Sequence, residues 1–357
     1  MMHRLRFAIP SLAAGLMLAG AGFIAAQEMP DYVVASGLNN PRHITFVEGI
    51  LVVAESGTGG DEEVQGMFGP ALLGDTGAIT GVGSDGELQT AIGDLGSLNE
   101  GGEVTGVTGL LFTGDLLWYS GRDLVTNTYV TAVDSSGDTQ EDIDTLAFET
   151  ELNPDGDIID SNPVDIAWDS ALNIIYIADA GANTVWKTSD GTTLEVFATW
   201  PEGNPVPTSL AVTPDSTVYV GFLTGFPFPV GGSRVEHYLP DGTLAETFEG
   251  FTTIVDLLFA NDTLYAVQFA EFGEMGWTPF TGAVVDVLSG EAYASGLNLP
   301  YGLAVDAESE LYVVLNSAYS GDGAGVVVRG LDNAVEYSMN AMIEMGMAPV
   351  ETAEAGG

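Results

Sequence analysis

Two carboxylates, an imidazole and a hydroxyl recur at one register of a repeated block: His43, Gly109, Asp165, Ser209, Asp256 and Gly302. The preceding register reads Arg42, Thr108, Val164, Thr208, Val255 and Tyr301. If the blocks surround an axis, Arg42, His43, Asp165, Ser209, Asp256 and Tyr301 ring the mouth of a channel. Carboxylates and an imidazole converging there could bind a cation, or polarise a substrate carbonyl through a metal. Calcium is the cation those acids suggest. The same acids could instead accept hydrogen bonds from backbone amides of the next block and hold the ring together.

Other stretches offer weaker chemistry. NPDGDIIDSNP places Asp155, Asp157 and Asp160 within a few residues, as calcium's demand for six to eight oxygens would favour. It lacks the DxDxDG order of a helix-loop-helix site, and Asn and Asp in such runs also cap turns through their own backbone. GFPFPVGG holds Phe226 and Phe228 between prolines. The two rings would form either an apolar lip over the channel or a seal between neighbouring units. The methionines at 339, 342, 345 and 347 could meet a partner or a soft metal, or simply decorate a loosely docked helix. Thiol chemistry is excluded by the absence of Cys, and no Ser has Gly at both −2 and +2, so there is no nucleophile elbow. With His43 and His237 the only histidines beyond residue 3, a three-His zinc site is excluded. The Gly-rich run from Gly57 to Ile79 lacks the Lys of a phosphate loop and reads as a long loop on one face of the ring.

The elements that must position these residues come from the repeat itself. PRHITF, VTGLLF, PVDIAW, PTSLAV, IVDLLF and PYGLAV begin at Pro41, Val107, Pro163, Pro207, Ile254 and Pro300. Each is followed by a turn and a second strand rich in β-branched and aromatic residues, with Trp118, Tyr176, Tyr219, Tyr265 and Tyr312 at equivalent places. The intervals are 66, 56, 44, 47 and 46 residues. The last three match the roughly 40 to 50 residues of a four-stranded blade, and the first two carry insertions. The expectation is an all-β fold, a six-bladed β-propeller. DYVVASGLNNP near the N-terminus resembles EAYASGLNLP, which leads into the sixth block, while the sixth unit ends one strand short at GVVVRG. The N-terminal strand should therefore complete the last blade and close the ring.

Composition sets the surroundings. Seven Lys and Arg stand against 51 Asp and Glu, a net charge of −44. Such a surface repels nucleic acid and anionic lipid and suits salty or acidic surroundings. Residues 1–26 have Arg4 and Arg6 ahead of an apolar run, the build of a secretory signal peptide cleaved after Ala26 or Ala21. Pro10, Gly15, Gly20 and Gly22 argue against the same run as a membrane anchor. The domains are then residues 1–26 as signal, 27–330 as propeller, and 331–357 as an acidic, Met-containing tail with a short helix or no fixed structure. The product is secreted or periplasmic, a monomer, with no membrane span after cleavage and no nucleic-acid partner.

VASGLNNPRHITF, VVAESGTGGD, NPDGDIIDSNPVDI, ADAGANTV, ASGLNLPYGLAV and above all PTSLAV with VYVGFLTGFPFPVGGSRV resemble the ScyD/ScyE family of secreted bacterial proteins, over about Asp31 to Gly330. The resemblance implies an exported, NHL-like β-propeller and supplies no catalytic residues. His43 departs from it, standing where the PRG turn of such repeats has Gly. The expected function is binding or scaffolding for a small molecule or a protein partner. The competing reading is a calcium-dependent hydrolase or lactonase working at the channel, an argument by analogy of fold.

Overall fold

Alternating apolar residues and tight Gly/Asp turns make each repeat an antiparallel sheet whose two faces both meet a neighbouring sheet. The computed structural model describes residues 29–67, 69–124 and 127–347. The expected signal peptide and the end of the tail lie outside them. The third repeat shows the plan: Pro163–Asp169, Ile174–Asp179, Thr184–Thr188 and Glu195–Thr199 pair in chain order, each strand antiparallel to the last. Six such sheets form a six-bladed β-propeller. Its inner strands are Pro41–Val47, Val107–Phe112, Pro163–Asp169, Pro207–Val212, Ile254–Ala260 and Leu303–Val305.

The ring closes as the repeated SGLN motif predicts. Val33–Leu38 pairs antiparallel with Gly325–Arg329, from Val33 opposite Val328 to Leu38 opposite Gly325. The first strand of the chain is thus the outermost strand of the sixth blade.

Apolar side chains fill the gaps between blades. Trp118 packs with Ile166, Ile175 and Trp186 between the second and third blades. Tyr176 does the same with Leu210 and Val218 between the third and fourth, and Tyr265 belongs to the large cluster spanning the fifth, sixth and first. Tyr219 and Tyr312 are only half-buried.

The first insertion differs from the expected loop. Glu62–Gln65 and the long strands Pro70–Val82 and Leu88–Glu100 extend the first blade's own sheet, with Glu103–Thr105 added at its edge. Its glycines let backbones touch: a Cβ on Gly60 would lie 2.4 Å from the Leu73 carbonyl oxygen. The second insertion supplies the outer strand Thr139–Ile143 and helix α1, Thr145–Leu152, capped by Asp144, whose side chain accepts the Ala147 amide. Helix α2, Leu331–Glu344, buries Ala334, Ser338 and Met342, and the Ser338 hydroxyl accepts the Asn298 amide. It is firmly docked where the sequence suggested a loose helix. Among the described residues no helix is long and apolar enough to cross a membrane.

Candidate metal centre

A ring of six inner strands has little room at its axis, and the sequence meets this by alternation. Blades one, three and five contribute His43, Asp165 and Asp256; blades two, four and six contribute Gly109, Ser209 and Gly302. The small residues are required. A Cβ on Gly302 would lie 2.6 Å from the Arg42 carbonyl oxygen and 2.8 Å from the His43 Cα.

Each of the three large side chains reaches the next blade. His43 Nδ1 lies 3.0 Å from the Thr108 carbonyl oxygen. Asp165 accepts the Leu210 amide at 2.7 Å and the Ile166 amide at 2.7 Å. Asp256 accepts the Leu303 amide at 2.7 Å. The ring is therefore fastened in three pairs of blades, as expected for acids that hold neighbouring inner strands together. The same three residues also converge. His43 Nε2 stands 3.3 Å from Asp256 Oδ1 and 3.7 Å from Asp165 Oδ1. One ligating atom from each residue lies within 4.8 Å of the others, and all three are buried. This group could hold a metal ion.

The imidazole's chemistry follows from its partners. A carbonyl can only accept, so Nδ1 carries a hydrogen and Nε2 is the atom facing the carboxylates. Nε2 is buried without a well-directed hydrogen bond. Burial alone would lower the His43 pKa, but the charges of Asp165 and Asp256 overcome it and hold it up at about 9. Burial pushes the Asp165 carboxyl up, against the opposing pull of His43. Near neutral pH Nε2 therefore holds a proton between two carboxylates, unless a metal replaces it.

The channel beside this group has a volume of about 290 Å³. His43, Asp165 and Asp256 line one end, and Phe46, Trp168 and Phe259 the other. All six residues of the Arg42 to Tyr301 register are buried. The six residues from Phe46 to Val305 at the far end of the inner strands are half-exposed. The group thus sits at the closed end of a channel that meets solvent on the opposite face. Arg42 and Tyr301 help to shut the near end: the guanidinium stands 5.0 Å from the Tyr301 ring centroid and donates to the Val104 carbonyl at 2.8 Å. Tyr301 meets the His43 ring edge-on at 5.4 Å.

No family profile and no curated protein sequence matches the chain. Among solved structures it is similar to a putative oxidoreductase (glucose dehydrogenase) of Thermus thermophilus, with 17% identity over 83% of this chain and 98% of that one and a TM-score of 0.52. It is also similar to a protein of unknown function from Bacteroides thetaiotaomicron, with 11% identity over 84% and 74% and a TM-score of 0.53. The likeness is one of fold.

The remaining sequence candidates fall elsewhere. Ser209 is fully buried, and its hydroxyl sits so close to Gly221 of its own blade that a Cβ there would approach within 2.3 Å. Phe226 and Phe228 pack with Phe272 and Trp277 of a hairpin in blade five, at centroid distances from 4.9 to 6.0 Å. They lie on the face where inner strands begin, because their loop follows the strand Val218–Phe222, whose end pairs with Pro207. The channel's accessible end is on the other face, so the rings stand away from it; Phe228 is half-buried against the blade-five hairpin, and Phe226 is 77% exposed. Asp155, Asp157 and Asp160 do not converge. Asp155 accepts from Asp157 N and Asn183 Nδ2, Asp160 pairs with Arg122 at 2.9 Å, and Asp157 is exposed. The signal that could have separated these groups was the large–small alternation of the first register, which picks out residues 43, 165 and 256.

Proposed function

We propose that the protein is an exported binding propeller of the ScyD/ScyE type that holds a divalent transition-metal ion at the closed end of its channel. The convergence of His43 Nε2, Asp165 and Asp256 carries the reading, with a buried nitrogen that lacks a well-directed partner. Ligand atoms around a tetrahedral zinc stand about 3.3 Å apart for bonds of about 2.0 Å, close to the observed His–Asp separations. One imidazole and two carboxylates suit zinc or manganese; calcium's six to eight oxygens find only two carboxylates here. Three protein ligands leave a coordination position toward the channel, which is large enough for a small molecule. That open position favours a second reading, metal-dependent hydrolysis of a small ester or lactone.

Calorimetric titration of the chelator-stripped chain with zinc, manganese and calcium tests the proposal. Zinc or manganese binding that disappears in His43→Ala and Asp256→Asn supports it. The absence of any binding, or binding indifferent to both substitutions, sinks it. Turnover of small lactones by the zinc-loaded chain, absent in His43→Ala, would select the hydrolytic reading.

A further inference from the structure

A second group of acids lies under α1, away from the channel. The buried face of α1 carries Thr145 and Glu149, one turn apart. Thr145 Oγ1 is 2.7 Å from Ser161 Oγ, which donates to Asp179 at 2.7 Å, so this face of the helix is pressed against the polar floor of blade three. Asp179 is fully buried and satisfied: it also accepts the Asn162 and Ala182 amides and the Trp186 indole N–H. Asp155 is buried and holds the Asn183 side chain and the Asp157 amide. Glu149 is different. It has no exposed surface, and neither of its carboxylate oxygens has a hydrogen-bond partner.

A carboxylate buried without donors is among the costliest arrangements a protein can hold. Asp155, Asp179 and Asp160 raise the cost here, since burial first and then those three charges push Glu149 up to about 7. Arg122, the ion-pair partner of Asp160, is committed to that carboxylate and to the Ser161 carbonyl. The charged neighbours of Glu149, namely Asp155, Asp160 and Asp179, offer only oxygens. The chain between α1 and Asp160, NPDGDIID, follows the helix directly in sequence and brings further backbone carbonyls.

We infer that Glu149 and Asp155 hold a calcium ion between α1 and the loop that follows it, a structural clip for the second insertion. Calcium accepts irregular all-oxygen shells completed by water, and a carboxylate with both oxygens free can ligate it bidentately. The clip would order helix α1, inserted between the second and third blades, and tie it to Asn183 in blade three. It is independent of the channel centre, which has a nitrogen ligand and a different ion preference.

The test uses the full mature chain stripped with chelator, and calcium chloride as the probe. Calcium should raise the unfolding temperature, by about 5 °C at a hundred times Kd. Glu149→Gln and Asp155→Asn should abolish that rise, while His43→Ala should keep it. Terbium in place of calcium should luminesce on excitation of tryptophan, because Trp186 donates to Asp179 beside the site. Hydrogen exchange of the unmodified chain covers the case in which the variants do not fold: calcium should slow the amides of residues 146–157. No calcium effect on unfolding or exchange in the unmodified chain overturns the inference. A rise retained in Glu149→Gln does the same, and Glu149 is then a neutral, protonated acid.

Discussion

A metal at His43 must displace a proton, and that fixes how its affinity depends on pH. Nδ1 is committed as a donor to the Thr108 carbonyl, so the exchangeable position is Nε2, which the two carboxylates hold protonated up to about pH 9. Below that value each unit of pH lowers the fraction of free Nε2 tenfold, which is about 1.4 kcal/mol of binding per unit. Zinc affinity should therefore fall on acidification. Between pH 7.5 and 6.0 the loss is about 30-fold, or about 2 kcal/mol, with a slope of at least one because the burial-raised Asp165 can add a second proton. Calorimetry in two buffers of different ionisation heat reads both quantities: the trend of affinity and the number of protons released. A flat affinity over this range, with no buffer-dependent heat, would refute the assignment of Nε2 as a ligand.

The fastening role of the same residues makes separate predictions. Asp165→Ala leaves the buried Leu210 and Ile166 amides without acceptors; at about 1–3 kcal/mol for each unsatisfied donor, denaturant unfolding should show a loss of about 2–6 kcal/mol, and an unchanged midpoint would contradict the geometry. Gly302→Ala should destabilise by at least about 1–3 kcal/mol, since the atoms its Cβ would meet are backbone atoms of Arg42 and His43, and it should weaken zinc binding as His43 is displaced. Deleting residues 31–38 removes the outer strand of blade six; the whole domain, not just its end, should then unfold at lower temperature in a single transition, and an unaltered melting curve would defeat the closure argument.

The blade count was legible because a strand that packs on both faces needs apolar residues throughout, and six such blocks recur at intervals that a four-stranded sheet explains. Ring closure was legible for a similar reason: Val33–Leu38 and Ala292–Leu297 are both outer strands that lead into an inner strand, and they share the SGL motif. The first insertion was misread because Gly57, Gly59, Gly60, Gly74 and Gly77 look like loop residues, whereas the crowding at Gly60 and Gly74 shows glycine serving close backbone approach. Register alone could place His43, Asp165 and Asp256 near the axis. It placed them at an open mouth, whereas that end is the closed one, because the Arg42 guanidinium lies over the Tyr301 ring there. Glu149 escaped the sequence entirely, since on a short helix nothing distinguishes a buried acid from a solvated one.

With seven Lys and Arg against 51 acids, this chain has few cations to set against its buried carboxylates; Arg234 pairs with the buried Glu236, and elsewhere backbone and side-chain donors serve instead. Asp165 accepts two amides, and Asp179 accepts two amides, a hydroxyl and an indole. Such donors satisfy lone pairs but bring no net positive charge, so the strategy fails wherever several acids share a dry space. It fails at two places among those described. At the channel end His43 supplies one proton for two carboxylates, and under α1 Glu149 has nothing at all. A divalent ion corrects both deficits more effectively than a proton, because it brings two charges and accepts several oxygens at once. The two proposed ions differ in kind because the donors differ: an imidazole nitrogen in the channel would select a transition metal, and the all-oxygen donors under the helix would select calcium.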